Sequence, residues 1–201
     1  MGRCPMDESF FHFSHVAEVG GDIEIVGGPT VLVPVSDGSD GMEPGDFSLV
    51  LNEGSIWDLV PGNEVIVTHT SAPESKAHTA TELTAFHEPA TNTVDGTAAA
   101  DSFFDVWVDE TGVWRNEQAL GGVFSVDFSV AGDQSPEEDE TIVLGPGISG
   151  AAAQCDSDGD CTFAHWSVAN PYFAGVLADN VIDGWEWTPD DFVQIPLLLP
   201  T

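Results

Sequence analysis

Basic residues are almost missing from this sequence of 201 residues. Only Arg3, Lys76 and Arg115 are basic, against 35 aspartates and glutamates, which gives a formal net charge of −32. Nucleic acids and anionic membranes are both bound through patches of lysine and arginine. We therefore expect the protein to bind neither nucleic acid nor membrane.

Long apolar segments are missing as well. No stretch of 18 apolar residues occurs, so no segment is expected to span a bilayer as a helix. The N-terminal segment, residues 1–20, lacks the apolar core of a signal peptide, because Pro5, Asp7 and Glu8 interrupt it. No asparagine is followed two places later by serine or threonine, so the chain has no glycosylation acceptor site. These absences predict a protein that is made and assembled inside the cell.

The excess of negative charge is typical of a protein that works in concentrated salt. A compact domain at −32 repels itself in dilute buffer, whereas molar salt shortens the Debye length to about 3 Å and screens the repulsion. Charged residues make up only 19% of the chain, so the acidity reflects missing lysine and arginine as much as added carboxylates. Hydrophobic residues make up 42%, which is enough for a core and excludes a disordered acidic tail. We infer a halophilic source.

A two-residue alternation of apolar and polar side chains predicts an all-β protein. In residues 122–130, phenylalanine and valine fill the even positions from 124, and serine and aspartate fill the odd ones between them. Residues 102–109 alternate in the same way. No segment has sustained helical periodicity, although residues 112–121 and 172–180 are predicted to form short helices. The pattern favours an antiparallel β-sandwich or barrel, jelly-roll-like or tail-tube-like, with few short helices.

Glycine and proline turns divide the rest of the chain into short candidate strands. We predict one domain over residues 1–201, with the N-terminal segment 1–20 and a C-terminal arm at 195–201. Residues 88–101 and the acidic stretch 131–140 are predicted to be long exposed loops. The further predicted strands are 22–26, 30–35, 47–51, 55–59, 64–70, 79–87, 141–144, 161–168, 184–188 and 191–195.

The three cysteines predict one short disulfide. Cys155 and Cys161 enclose a five-residue loop, and a bridge across a loop of that length is sterically feasible. Cys4 is then the odd cysteine, either buried or paired with another chain. A zinc site is not expected, because this spacing is not a usual ligand spacing and no second cysteine pair exists.

The enclosed loop is a candidate cation site. Asp156, Asp158 and Asp160 alternate around a glycine, as carboxylates do in the first half of Ca²⁺-binding loops. The glycine precedes the third aspartate, however, and the twelfth position is Ser167, which has no carboxylate. Two interpretations stay open: a site for Ca²⁺ or another cation, and a solvated acidic turn.

Neither histidine nor serine forms a strong catalytic motif. The Gly-Ile-Ser-Gly-Ala sequence around Ser149 resembles a nucleophile elbow but lacks its last glycine, so we interpret it as a Gly/Pro loop. We predict no catalytic residue and no enzymatic activity. The histidines are interpreted as ordinary hydrogen-bonded or surface residues and not as metal ligands; they are His12, His15, His69, His78, His87 and His165.

Tryptophans and the apolar C-terminus predict a surface for association. Trp185 and Trp187 share one face of the predicted strand 184–188, and the chain ends in Gln-Ile-Pro-Leu-Leu-Leu-Pro-Thr. Tryptophan is enriched in subunit interfaces, although such residues also serve as core or stack on sugars. The residues predicted to contact a neighbouring subunit are Trp185, Trp187, Ile195, Leu197, Leu198 and Leu199.

In overall character the chain resembles the structural proteins of haloarchaeal viruses, with the strand-like segments 102–109 and 122–130 as the residues that carry the resemblance. The resemblance implies a capsid, turret or tail subunit. Its implied partners are copies of itself and other virion proteins, and its implied location is the virion after assembly in the host cytoplasm. Two alternatives stay open: a halophilic surface adhesion or carbohydrate-binding β-module with a Ca²⁺-binding loop, and a small β-barrel metalloenzyme that uses histidines.

Overall fold

The computed structural model describes residues 21–34, 36, 42–43, 47–49, 58–69, 75–132, 140–176, 178–179 and 181–187. Within these residues the protein is all-β and every strand pair is antiparallel, as the alternation predicts. The helical structure described there is a single 3₁₀ turn, Leu120–Gly122. No helix in this part of the chain is long and apolar enough to cross a membrane.

The strands of the described part are short. In chain order they are β1 (Gly21–Ile25), β2 (Thr30–Val33), β3 (Glu64–His69), β4 (Ser75–Thr79), β5 (Thr84–Glu88), β6 (Thr93–Thr97), β7 (Phe103–Val108), β8 (Trp114–Gln118), β9 (Val123–Val126), β10 (Ser149–Cys155), β11 (Cys161–Ser167), β12 (Tyr172–Val176) and β13 (Val181–Trp185).

These strands form four sheets. Sheet A has the order β2-β1-β3-β4, sheet B has β5-β6-β9, and sheet C has β11-β10-β7-β8. The remaining two strands, β12 and β13, pair only with each other among the described strands. Sheets B and C lie face to face as a sandwich, with β5 beside β11 and β8 beside β9 at its two edges.

The core of the sandwich comes from the alternating apolar positions of its strands. Phe104 of β7 stacks on Phe124 of β9 with ring centroids 4.2 Å apart, and Val94 of β6 is fully buried between the sheets. Sheet A has a smaller core of its own, formed by Ile25, Val33, Val65 and Val67. The described residues thus form two apolar clusters, and polar contacts from β4 connect sheet A to the sandwich.

Among the residues that the structure describes, Arg115 is the largest fully buried side chain, and it contacts the backbone at both ends of the acidic stretch. Its guanidinium lies over the ring of Phe128, 5.5 Å from the centroid. It donates hydrogen bonds to the carbonyl oxygens of Trp114 (2.7 Å), Val130 (2.7 Å) and Glu140 (2.6 Å). Val130 and Glu140 lie on either side of residues 131–139, so one buried cation fixes both ends of that acidic segment.

Both predicted helices are wrong. Residues 112–121 contain β8, which pairs with β7, and residues 172–180 contain β12, which pairs with β13. Each of these two stretches is only nine or ten residues long, and neither has a clear helical or strand periodicity in its sequence. Pairing with a neighbouring strand decided the conformation in both cases.

Two segments interpreted as loops are central strands. Residues 88–101 contain β6, the middle strand of sheet B, and the Gly/Pro stretch around Ser149 leads into β10, a middle strand of sheet C. A Cβ at Gly150 would collide with the carbonyl oxygen of Trp107 and the indole of Trp166. Small residues are therefore needed in β10 because large aromatic neighbours cover it.

The other predicted strands have mixed outcomes. Residues 79–87 span the end of β4 and the start of β5, and residues 141–144 are irregular. The predicted strands 22–26, 30–35, 64–70, 161–168 and 184–188 all overlap observed strands. The described residues of 47–51 and 55–59 form no strand, and the rest of those two segments, residues 191–195 and most of the acidic stretch 131–140 lie outside the described residues.

Candidate functional site

The hairpin of β12 and β13 is the most exposed apolar element that the structure describes. Every residue of both strands is exposed. The exposed fraction is 69% for Phe173, 50% for Tyr172 and 42% for Trp185. An isolated two-stranded hairpin is at best marginally stable in water, because it has no partner surface against which to bury its side chains.

Register places apolar side chains on both faces of this hairpin. Residues directly opposite each other in an antiparallel pair share a face. Tyr172 lies opposite Trp185 and Val176 opposite Val181, with Ala174 opposite Asp183 between them. These residues share one face, here called the tyrosine face, which is apolar except for Asp183. The other, here called the phenylalanine face, carries Phe173, Gly175, Ile182 and Gly184. Strands with apolar residues on both faces are typical of sheets that are covered on both sides.

Aromatic contacts order the base of the hairpin. The rings of Tyr172 and Trp185 stack with centroids 5.0 Å apart. Trp187 donates a hydrogen bond from its indole Nε1 to the carbonyl oxygen of Tyr172 (3.0 Å), and its ring lies where a Cβ on Gly184 would point. The backbone amide of Asn170 donates to a carboxylate oxygen of Glu186 (2.9 Å). One aromatic stack and two hydrogen bonds therefore stabilise the base of the hairpin.

A second site lies where β4 meets the loop between β10 and β11. The ammonium of Lys76 lies 2.7 Å from Oδ1 of Asp160 and donates to the carbonyl oxygen of Asp158 (3.2 Å). Asp160 is fully buried, and its other oxygen, Oδ2, has no hydrogen-bond partner among the described residues. Lys76 thus supplies positive charge to the acidic loop.

His78 joins the same strand to the same loop. Its Nδ1 lies 3.0 Å from Oδ2 of Asp156, and its Nε2 lies 2.9 Å from Oγ1 of Thr162. The hydroxyl oxygen of Thr162 also accepts the backbone N–H of Thr81 at 3.1 Å. The side chains thus connect in the order hydroxyl (Thr162), imidazole (His78) and carboxylate (Asp156). They join β4 of sheet A to sheet C, and the imidazole between them is buried. Lys76 and His78 together fasten sheet A to sheet C.

The carboxylate of Asp156 organises the loop. Partial burial by itself would raise the pKa of this carboxyl group. Its hydrogen bond with His78 and those from the backbone amides of Asp158 and Asp160 outweigh that effect, so the pKa lies below its ordinary value. The charged form of Asp156 is therefore the one that the folded state stabilises.

A disulfide closes the loop. Cys155 and Cys161 are directly opposite each other in the β10–β11 register, with Cα atoms 4.0 Å apart, and the structure joins their sulfur atoms. Gly159 takes a positive φ of 85° in the turn. The loop is thus held by a covalent bond at its base, by the Asp156 carboxylate inside it, and by Lys76 from outside.

The aspartates of this loop do not converge in the way that a metal site requires. Among the described residues, no group of three or more His, Cys, Asp or Glu side chains is arranged to hold a metal ion. Asp156 accepts hydrogen bonds within the loop, and Asp160 faces the Lys76 ammonium. A Ca²⁺ site at Asp156, Asp158 and Asp160 stays a prediction.

The remaining candidate residues are dispersed. Ser149 begins β10 and donates to a carboxylate oxygen of Asp109 (2.9 Å), which is a strand-end contact. Trp166 is buried in the sandwich core, 6.1 Å from the ring of Phe128. Of the predicted interface, Trp185 and Trp187 lie in the exposed hairpin region, whereas Ile195, Leu197, Leu198 and Leu199 lie outside the described residues, as do His12, His15 and Cys4.

Sequence reasoning missed the roles of Lys76, Tyr172, Phe173 and Ile182. A signal for Lys76 was available, since it is the only lysine in the sequence. The hairpin also had a signal, because residues 161–178 are the longest stretch of the chain without an acidic residue.

No family model matches the chain, and no curated protein matches it.

Proposed function

We propose that the protein is a structural subunit of a halophilic virus particle, a capsid, turret or tail component, and acts by assembling with copies of itself and with other virion proteins. The observation that carries this proposal is the exposed hairpin of β12 and β13, which has apolar side chains on both faces and a single carboxylate, Asp183, within its strands. A surface of this kind marks an interaction site, because monomeric soluble proteins rarely leave such patches in water.

The charge distribution supports association in brine. Two chains at −32 repel each other in dilute buffer, and molar salt removes most of that repulsion while favouring apolar burial. Residues 161–178, which include all of β12, contain no acidic residue, whereas β13 contributes Asp183; copies that meet through β12 therefore bring few carboxylates together. On this proposal the protein is a building block and not an enzyme, and its location is the virion after assembly in the host cytoplasm.

Measurement of mass in salt tests the proposal. Sedimentation and light scattering of the full chain in molar KCl should show oligomers whose mass rises with concentration. Deleting residues 195–201, the predicted arm, should weaken these oligomers and leave the circular dichroism spectrum of the β-domain unchanged. A control outside the hairpin and the arm is Leu120→Asp, which places a carboxylate at an apolar position that is 67% exposed. A full-length chain that stays monomeric at high concentration in molar salt would refute the structural role.

A further inference from the structure

We infer that a cavity between sheet A and the sandwich binds a neutral sugar, one pyranose unit that is either free or at the end of a glycan. The cavity has a volume of about 540 Å³, within the range of roughly 300–1,000 Å³ that is usual for small-molecule sites. Its wall comes from β4 on one side and from the start of β7 and the end of β10 on the other. Such a site goes beyond the proposed function, because it needs no assembly of the chain.

The contacts that fasten sheet A to the sandwich also build the cavity. His78 lines the cavity, is 4% exposed, and is held between the side chains of Asp156 and Thr162. Two further residues of the wall, Ala77 and Ala99, are alanines, so little side-chain volume fills the space between the sheets. The cavity is therefore formed in the free protein, which lowers the entropic cost of binding a ligand.

Hydrogen-bonding groups of the wall are not fully used by the protein itself. Gln154 lines the cavity and is 4% exposed. Its Oε1 accepts the backbone N–H of Ala99 at 3.0 Å, but its Nε2 lies 3.5 Å from the carbonyl oxygen of Phe103, at the limit of a hydrogen bond. Further hydroxyl-bearing residues of the wall are Thr79, Thr81 and Ser102.

The hydroxyl of Thr81 is the least satisfied of these groups. Its Oγ1 is buried and has no hydrogen-bond partner among the described residues. A buried polar group without a partner calls for an explanation, and a ligand hydroxyl reached by rotation about χ1 of Thr81 provides one. A hydroxyl both donates and accepts hydrogen bonds, so it serves the Thr81 hydroxyl and the Gln154 amide alike.

The charges of the wall argue against an ionic ligand. Among the described residues that line the cavity, the only carboxylate is that of Asp156, which already bonds with His78 and with two backbone amides of its loop. Neither lysine nor arginine is among them, and the chain carries a net charge of −32, so an anion would be repelled. Within the described part of the chain, no group of three or more His, Cys, Asp or Glu side chains is arranged to hold a metal ion. An apolar ligand would bury the Gln154 amide without improving its hydrogen bonds, so a neutral ligand with several hydroxyl groups fits best.

An aromatic residue at the cavity favours a sugar over a linear polyol. Phe103 lines the cavity and is 59% exposed. Small-molecule sites combine aromatic side chains of this kind with a few placed polar groups. A pyranose ring has an apolar C–H face that packs on an aromatic ring and hydroxyl groups at its edge that meet the polar wall. A linear polyol has no such face.

Sugar binding by the full chain tests the inference. The probes are D-glucose, D-galactose, D-mannose and N-acetyl-D-glucosamine, each also as its methyl glycoside, measured by saturation-transfer NMR in molar KCl. We expect at least one probe to bind with a dissociation constant in the millimolar range or below. Phe103→Ala should raise that constant about tenfold, because the aromatic contact is lost. The matched control is Phe86→Ala in sheet B, at a phenylalanine of similar exposure (52%) that does not line the cavity, and it should leave binding unchanged.

A second variant fills the cavity without removing a hydrogen bond. Ala77 is an exposed residue of β4 that lines the cavity, so Ala77→Trp should abolish binding while the melting temperature stays close to that of the wild type. A folded Ala77→Trp variant that binds the sugar as the wild type does would overturn the inference. So would an equal loss of binding in Phe103→Ala and Phe86→Ala.

Charged analogues test the class of ligand. D-Glucuronate and D-glucosamine at pH 6 carry a negative and a positive charge on the same ring, and both should bind more weakly than the neutral sugar. Tighter binding of either one, or no binding of any neutral probe at tens of millimolar, would overturn the inference.

The glycosides distinguish the two sources of the sugar. Binding of the methyl glycoside as well as the free sugar would identify the end of a glycan, and binding of the free sugar alone would identify a free monosaccharide; either result supports the site. All of these measurements apply to the wild-type chain whether it is monomeric or assembled. A failure of the sugar site is therefore separate from a failure of the proposed function.

Discussion

The ammonium of Lys76 lies 2.7 Å from the buried carboxylate of Asp160, a residue 84 positions further along the chain. The chain has three basic residues, and the structure describes two of them, Lys76 and Arg115. Both hold distant segments together: Lys76 fastens the acidic loop to β4, and Arg115 fastens both ends of the stretch 131–139. Arg115 is buried, whereas the Lys76 side chain is 27% exposed and reaches the buried carboxylate of Asp160 from the edge of the site.

The first prediction concerns this ion pair. Lys76→Met keeps most of the apolar stem but leaves the Asp160 carboxylate buried without its cation, so the free energy of unfolding should fall by roughly 3 kcal/mol. Urea unfolding in molar KCl measures the change. Adding Asp160→Asn to Lys76→Met removes the uncompensated charge and should restore part of the loss. A double variant that is less stable than Lys76→Met alone would contradict the role assigned to the pair.

The second prediction concerns pH. Because the pKa of Asp156 is depressed below its ordinary value of 3.8, its contribution to stability is fully present above that value and is lost as the pH falls through the folded-state pKa. Asp156→Asn removes this contribution. The difference in unfolding free energy between wild type and variant should therefore shrink as the pH falls below the ordinary value of 3.8.

The control for the pH experiment is Asp158→Asn in the same loop. The carboxylate of Asp158 has one long hydrogen bond, 3.4 Å from Ser157, whereas that of Asp156 organises the turn. Asp158→Asn should therefore have a smaller effect at pH 6. A constant difference between wild type and Asp156→Asn across this pH range would show that the carboxylate charge does not stabilise the fold.

The third prediction concerns Arg115. Arg115→Met fills much of the same volume but removes three charge-assisted hydrogen bonds to backbone carbonyl oxygens. Because buried acceptors would lose their donor, the free energy of unfolding should fall by roughly 2–4 kcal/mol. Proteolysis should also accelerate within residues 131–139, since both ends of that segment lose their anchor. Unchanged proteolysis there, with a folded core, would contradict the bracing role.

The fourth prediction concerns salt. Since nearly all the charge is carboxylate, the melting temperature should rise strongly between tens of millimolar and molar KCl. Thermal unfolding followed by circular dichroism measures the shift, and sucrose at equal osmolality serves as the uncharged control. Equal melting temperatures at low and high KCl would refute the halophilic interpretation.

The fifth prediction concerns calcium. Lys76 already neutralises Asp160 and bonds the carbonyl oxygen of Asp158, so a cation would compete with its ammonium for the same oxygens. We expect Ca²⁺ to raise the melting temperature of Lys76→Met more than that of the wild type, with Mg²⁺ at equal salt as the control. A large calcium-specific shift in the wild type, abolished by Asp158→Ala, would instead establish the predicted Ca²⁺ loop.

Local pattern was enough for the fold class. The alternation in residues 102–109 and 122–130 predicts β7 and β9, because a strand with one buried face must repeat every two residues. The cysteine spacing likewise identified the pair that the structure joins, since a disulfide across a five-residue loop is sterically feasible. The scarcity of lysine and arginine is a property of composition, and the salt-rich environment inferred from it stays a prediction.

Tertiary structure alone decided the burial of β6 and β10, the partners of Lys76 and His78, and the exposure of the hairpin. Strands such as Thr93–Thr97 and Ser149–Cys155 are made of small and polar residues whose own preferences are weak, and only neighbouring strands and the aromatic rings above them made them core. Lys76 and Asp160 are far apart in sequence, so no local pattern could pair them. Whether Phe173 and Ile182 face a core or water depends on which other elements reach them, and that is a property of the folded chain and not of the segment.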